Sequence, residues 1–172
     1  SEDEKMEILA EVLNCDEDNA ALTFLGQGSG RKNMTVNDTY RAGIRANIEE
    51  YVNFKYLFES ENVQITADKH RLENPIGKIT PSATALRFVM RDREMLVKSI
   101  ALIKKLEWCG SEKNAFVLRN FKVIKKLYAN YGDEVESKLL DNCKGAVFYE
   151  SKVAPVKSNA ELYDILSEEI SK

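Results

Sequence analysis

The sequence predicts a mainly α-helical fold, a multi-helix domain with one small β-hairpin, on three observations. Apolar residues recur at three- and four-residue spacings along most of the chain, as in Met6, Leu9, Ala10 and Leu13 or Leu162, Ile165, Leu166 and Ile170. That repeat lays one stripe along a 3.6-residue helix. Alternation of period two is confined to Val63-Gln64-Ile65-Thr66 and Lys78-Ile79-Thr80, where β-branched residues suit strands. Helix punctuation stands where the stripes begin and end: Thr35, Ser82 and Ser158 as caps, Gly110 and Gly132 as stops.

Taken in order, residues 2–14 form an amphipathic helix with acids opposite its apolar stripe. Asn19 to Phe24 reads as a short helix or strand, and Gly26 to Lys32 as a turn. Thr35, answered by Asp38 three residues on, starts a helix over about 36–58 that carries Tyr40, Ile44, Ile48, Tyr51 and Val52. The two alternating segments pair as a hairpin near 62–80 across a loop holding Asn74, Pro75 and Gly77. Pro81 suits a helix's first turn, with Ser82 or Thr80 as cap, and Ala85, Leu86, Val89 and Met90 form its stripe. A second stripe runs from Met95 through Ile100 and Ile103 to Trp108, ended by Gly110. The next helix holds Phe116, Val117, Phe121, Ile124, Leu127, Tyr128 and Tyr131 and closes at Gly132; Val135, Leu139 and Leu140 continue into another. Ala146 to Tyr149 reads as extended, Pro155 breaks any helix there, and Ser158 or Asn159 caps the last one.

One core suffices for 172 residues. The expected organisation is a single domain: an acidic helix and glycine loop over 1–34, a helical core over 35–145, and a loop with a terminal helix over 146–172. With 44% hydrophobic and 31% charged residues the chain can offset its ordering entropy, which separates it from disordered chains. Its apolar runs fall far short of the roughly 20 residues that cross a bilayer. The acidic start lacks the basic and apolar regions of a secretory signal, so a cytoplasmic protein is expected. Starting at Ser1, the sequence suits a processed protein or a piece of a longer one. Cys15, Cys109 and Cys143 are widely spaced, with neither a CxxC pair nor a disulfide framework.

Few motifs carry chemistry. Gly26, Gly28 and Gly30 are followed by Arg31, Lys32 and Asn33, which fits neither GxxxxGK[ST] nor GxGxxG. His70 is the only histidine, so two-histidine mechanisms and His-pair metal sites are excluded. No PD-(D/E)xK-like strand pattern is evident, and no catalytic residue, metal ligand or cofactor is expected. A third function class, an enzyme using scattered carboxylates, ranks last.

Charge is more informative than motif. Residues 1–20 hold eight acids against Lys5, whereas 87–126 hold eleven bases against four acids. Phosphate binding depends on the local field rather than the total of −3. Arg119, Lys122 and Lys126 recur on one helix face with Lys125 beside them. Together with Arg31 and Lys32 of the glycine loop they are the candidate nucleic-acid contacts, engaging phosphates without reading sequence. The competing class is a protein-interaction module, an inhibitor or subunit. Its acidic first helix would meet a basic partner, and its aromatic helices (Tyr51, Phe54, Tyr56, Phe58; Phe116, Phe121, Tyr128, Tyr131) would form a homodimer contact.

The run Gly30-Arg31-Lys32-Asn33-Met34-Thr35-Val36-Asn37-Asp38-Thr39-Tyr40-Arg41-Ala42-Gly43-Ile44 resembles the segment that follows the nuclease-like fold in ParB-like proteins of phages and mobile elements. The similarity continues through Ile79 to Leu86, the Ile100 to Trp108 helix, and Val123 to Glu134, about two thirds of the chain. That family's acidic-glycine-Gln/Asn-His-Arg signature is missing; Asp68-Lys69-His70-Arg71 lacks its glycine and amide. The resemblance therefore implies the helical C-terminal region alone, a DNA-associated module without the activity of the preceding domain.

Overall fold

A computed structural model describes residues 34–108 and 114–172. The expected first helix, the 19–24 segment, the glycine loop with Arg31 and Lys32, and Gly110 lie outside the described residues.

Among the described residues the fold is mainly α, with a two-stranded sheet set between helices. Helix α1 (Val36–Arg45) is capped by Thr35, whose hydroxyl accepts from the Asp38 amide at 3.2 Å and donates to the Asp38 carboxylate at 2.6 Å. The single helix expected over 36–58 is two. Asn47 sits in the left-handed region at φ 51°, and α2 (Glu49–Ser60) starts again after it. Asn tolerates that conformation because its short side chain bonds locally. The bend presses the Tyr51 ring onto Gly43, where a Cβ would stand 2.2 Å from Cδ2. The corner therefore needs both a residue that accepts positive φ and a glycine.

The expected hairpin is also corrected. Strands β1 (Val63–Ile65) and β2 (Gly77–Ile79) run parallel, with Val63 opposite Gly77 and Ile65 opposite Ile79. Alternation locates strands but not their direction, and residues 66–76 are long enough to carry the chain back to the starting end of β1. A tight hairpin would have needed a turn of two to five residues. Beyond β2 the ladder gains a third rung: Phe116 donates its N–H to the Ile76 carbonyl at 2.9 Å and accepts from the Lys78 N–H at 3.0 Å. Phe116 was expected in a helix; here its backbone extends the sheet, and the helix begins two residues later.

Helix α3 (Ala83–Arg91) is capped by Ser82, and α4 (Arg93–Lys105) follows directly after Asp92. The stop expected at Gly110 comes earlier, at Glu107, which adopts φ 56° just past the C-cap Leu106. Helix α5 (Leu118–Tyr131) closes at Gly132, φ 63°, as the sequence indicated. Helix α6 (Glu134–Asn142) follows. The stretch expected to be extended is instead one helical turn, α7 (Ala146–Phe148), running into a π-helical turn over Tyr149–Val153. Helix α8 (Asn159–Ile170), capped by Ser158, packs across α5 and α6.

Side chains from α1 through α8 share one hydrophobic core. Tyr40, Phe54, Phe58 and Phe116 form an edge-to-face or tilted chain with centroids 4.7 to 5.9 Å apart, the spacing aromatic rings favour. Trp108 is fully buried and donates its indole N–H to the Cys143 carbonyl at 2.9 Å, tying the end of α4 to the end of α6. No helix among the described residues is long and apolar enough to cross a membrane.

Candidate nucleic-acid interface

The four basic residues expected on one helix face all lie on α5, yet their environments differ. Lys122 and Lys126 are exposed, and neither meets a carboxylate within ion-pair distance among the described residues. Lys126 stands 3.9 Å above the Tyr163 ring of α8, a cation–π contact that leaves its ammonium in solvent. Lys125 pairs with Asp92 at 2.7 Å and lies 5.4 Å above the Phe88 ring. Arg119 is half-buried. Its guanidinium donates to the Asn120 side-chain oxygen at 2.9 and 3.0 Å and to the Val153 carbonyl at 3.0 Å, and burial lowers its pKa. Asn120, itself buried, donates on to the Ala115 carbonyl at 2.6 Å. Arg119 thus holds the π-helical turn to the start of α5, an inward engagement that helical spacing alone does not show.

The junction of α3 with α5 brings in bases not singled out by spacing. Phe88 meets Phe121 edge-to-face at 4.9 Å, and the Asp92–Lys125 pair sits beside that contact. Arg91 and Arg93 flank Asp92 in the chain. Both are exposed, as is Arg87 one turn before Arg91 on α3. A surface cleft of about 570 Å³ at this corner is lined by Met90, Arg91, Asp92, Arg93, Glu94, Met95 and Lys98. Residues 87–94 hold Arg87, Arg91 and Arg93 against Asp92 and Glu94, and α5 adds Lys122, Lys125 and Lys126, of which Lys126 lies against Tyr163 of α8. The signal for Arg87, Arg91 and Arg93 was present as a charge tally; their partner helix was not.

Several other cations are paired, whereas Arg45, Lys69, Arg71, Lys78, Lys138, Lys152 and Lys157 meet no carboxylate within ion-pair distance among the described residues. Lys98 pairs with Asp133 at 3.1 Å, Lys104 with Glu61 at 2.8 Å, Lys105 with Glu136 at 2.5 Å and Lys144 with Glu107 at 2.8 Å.

The aromatic residues of α2 and α5 mostly face the core; Tyr56, 67% exposed, and Val52, one turn before it, are the outward exceptions on α2. His70 is exposed, in the connection between the strands. Cys143 is buried, with its thiol pushed up to about 12 by burial and, less, by Glu169. Among the described residues no three His, Cys, Asp or Glu side chains converge in a way that could hold a metal ion. No protein-family model, curated protein or solved structure matches this chain.

Proposed function

We propose that this protein is a nucleic-acid-associated binding or regulatory module that engages phosphates through the α3–α5 junction. The observation that carries this is on α5: Lys122 and Lys126 are exposed and meet no carboxylate among the described residues, and the Phe88–Phe121 contact sets α3, with its exposed Arg87 and Arg91, against the same helix. Backbone contacts of this kind position a protein on a duplex without specifying sequence. Lys122 and Lys126 are the principal contacts, with Arg91 and Arg87 extending them; Arg31 and Lys32, outside the described residues, belong to the same hypothesis. The resemblance to the helical region of ParB-like phage and mobile-element proteins points the same way, toward a non-enzymatic, cytoplasmic role.

A labelled random duplex and a single strand, titrated at two salt concentrations, test this. Binding that weakens steeply with salt and is lost in Lys122→Glu/Lys126→Glu is the expected result. Absence of binding at low salt would sink it. The second reading, a protein-interaction module, draws on Tyr56 and Val52, adjacent apolar side chains exposed on α2. An apolar contact there would persist at high salt and be lost in Tyr56→Ala.

A further inference from the structure

The parallel strands have two unlike faces. Val63, Ile65 and Ile79 point into the core, so by strand alternation Gln64, Thr66, Lys78 and Thr80 share the opposite face. Gln64 and Lys78 are register partners, and the Thr66 and Thr80 hydroxyls meet at 3.2 Å. The connection 66–76 folds over this face and is fastened at several points. The buried Gln64 carboxamide donates to the His70 carbonyl at 2.9 Å and accepts from the Leu72 N–H at 2.8 Å. Arg41 donates twice to the Ala67 carbonyl, at 3.0 and 2.8 Å, and Asn62 donates to the Asn74 carbonyl at 3.0 Å. A loop held this way is already shaped for a ligand, which lowers the ordering cost of binding.

Between loop and strands lies a cleft of about 460 Å³, within the size range of small-molecule sites. Its polar lining includes Arg71 from the loop and Lys78 from β2, neither of which meets a carboxylate within 4.0 Å among the described residues, together with the Thr66 hydroxyl. Asp68 lines it too, and among the described residues its carboxylate accepts a single, long 3.4 Å bond from the Tyr40 hydroxyl. Leu72 and Pro75 supply an apolar wall. Two cations in one cleft call for an anion, and a guanidinium beside an ammonium suits a phosphate dianion. The carboxylate would repel a second anionic group, but it accepts hydrogen bonds from hydroxyls.

We propose that this cleft binds a phosphate monoester of a small polyhydroxylated molecule, with the phosphate on Arg71 and Lys78 and neighbouring hydroxyls on Asp68 and Thr66. The same chemistry is offered by a free sugar phosphate and by the 5′-phosphorylated end of a nucleic acid. The site is independent of the α3–α5 junction, and Lys122→Glu/Lys126→Glu leaves it intact.

Amide chemical-shift titration of the full chain tests it with four probes: ribose 5-phosphate, ribose, inorganic phosphate and a 5′-phosphorylated tetranucleotide. Ribose 5-phosphate is expected to give saturable shifts over residues 66–78, inorganic phosphate weaker ones, and ribose none. Lys78→Ala and Arg71→Ala each weaken ribose 5-phosphate by about tenfold or more, the loss of one charge-assisted hydrogen bond. Asp68→Asn weakens ribose 5-phosphate but not inorganic phosphate. Saturable shifts with the tetranucleotide as well assign the nucleic-acid end as a source, and shifts with ribose 5-phosphate alone assign the free compound. Absence of saturable shifts with ribose 5-phosphate overturns the proposal. So does equal affinity in the parent, Lys78→Ala and Arg71→Ala.

Discussion

The Asp92 carboxylate and the Lys125 ammonium meet at 2.7 Å, joining the turn between α3 and α4 to the middle of α5. Both side chains are partly exposed, at 27% and 40%. A pair so open to solvent stabilises the fold by no more than about 1 kcal/mol. Its larger effect is to remove one positive charge from the junction. Asp92→Asn is therefore expected to change stability little and to tighten nucleic-acid binding, with a salt slope steeper by about one unit. Denaturant unfolding and duplex titrations of the same variant check both halves. Weaker binding would mean that Asp92 orients Lys125 rather than masking it.

Gly77 lies where β2 passes Phe116, and a Cβ there would stand 2.0 Å from the Phe116 carbonyl oxygen. Backbone on both sides leaves nothing to swing away. Gly77→Ala is expected to cost at least the ~1–3 kcal/mol typical of overpacking, read as a lowered denaturant midpoint. Gly132→Ala meets no neighbour within 4 Å but sits at φ 63°, so its cost is backbone strain alone and smaller.

Trp108 donates to the Cys143 carbonyl from a fully buried position. Trp108→Phe keeps an aromatic ring but strands that carbonyl, with an expected cost of about 1–3 kcal/mol. Trp108→Ala adds a cavity and is expected to cost roughly 3–5 kcal/mol. Chemical denaturation of the two variants side by side separates the hydrogen bond from the packing.

Alkaline pH should weaken the fold. Cys143 is pushed from 9.0 up to about 12 by burial and then Glu169, and Tyr128 from 10.0 up to about 12 by burial, then Glu136 and Asp133. Below pH 8 both groups are protonated in folded and unfolded chains alike, so their contribution is full and flat. Between about 9 and 12 the unfolded chain has released protons that the folded chain still holds, and stability falls as pH rises. The urea midpoint is expected to decline across pH 9 to 11, less steeply in Cys143→Ala. An equal slope in parent and variant would remove Cys143 from this account.

The strongest periodicities translated directly into structure. Thr35, Ser82 and Ser158 cap helices, and Gly132 ends one, because caps and left-handed stops are local chemistry written in single residues. Features decided by distant contacts did not translate. Asn47 and Glu107 take positive φ without a glycine to announce it. The direction of β2 depends on where the 66–76 connection leads and on Phe116, some forty residues away in the chain. Of the candidate site, the exposure of Lys122 and Lys126 followed from their helix face. The inward turn of Arg119 toward Val153 and the Phe88–Phe121 contact that sets α3 against α5 are tertiary facts, invisible to spacing on one helix.

The salt dependence of duplex binding, measured for the parent and for Arg91→Glu/Lys122→Glu/Lys126→Glu, decides whether these bases engage phosphates. Each phosphate contact contributes about −0.9 to the slope of log affinity against log salt. Salt-sensitive binding by the parent is expected, with a slope shallower by about 3 in the triple variant and the folded state unchanged by circular dichroism. A parent that fails to bind duplex at low salt, or a triple variant that binds with the parent's slope, would contradict that engagement.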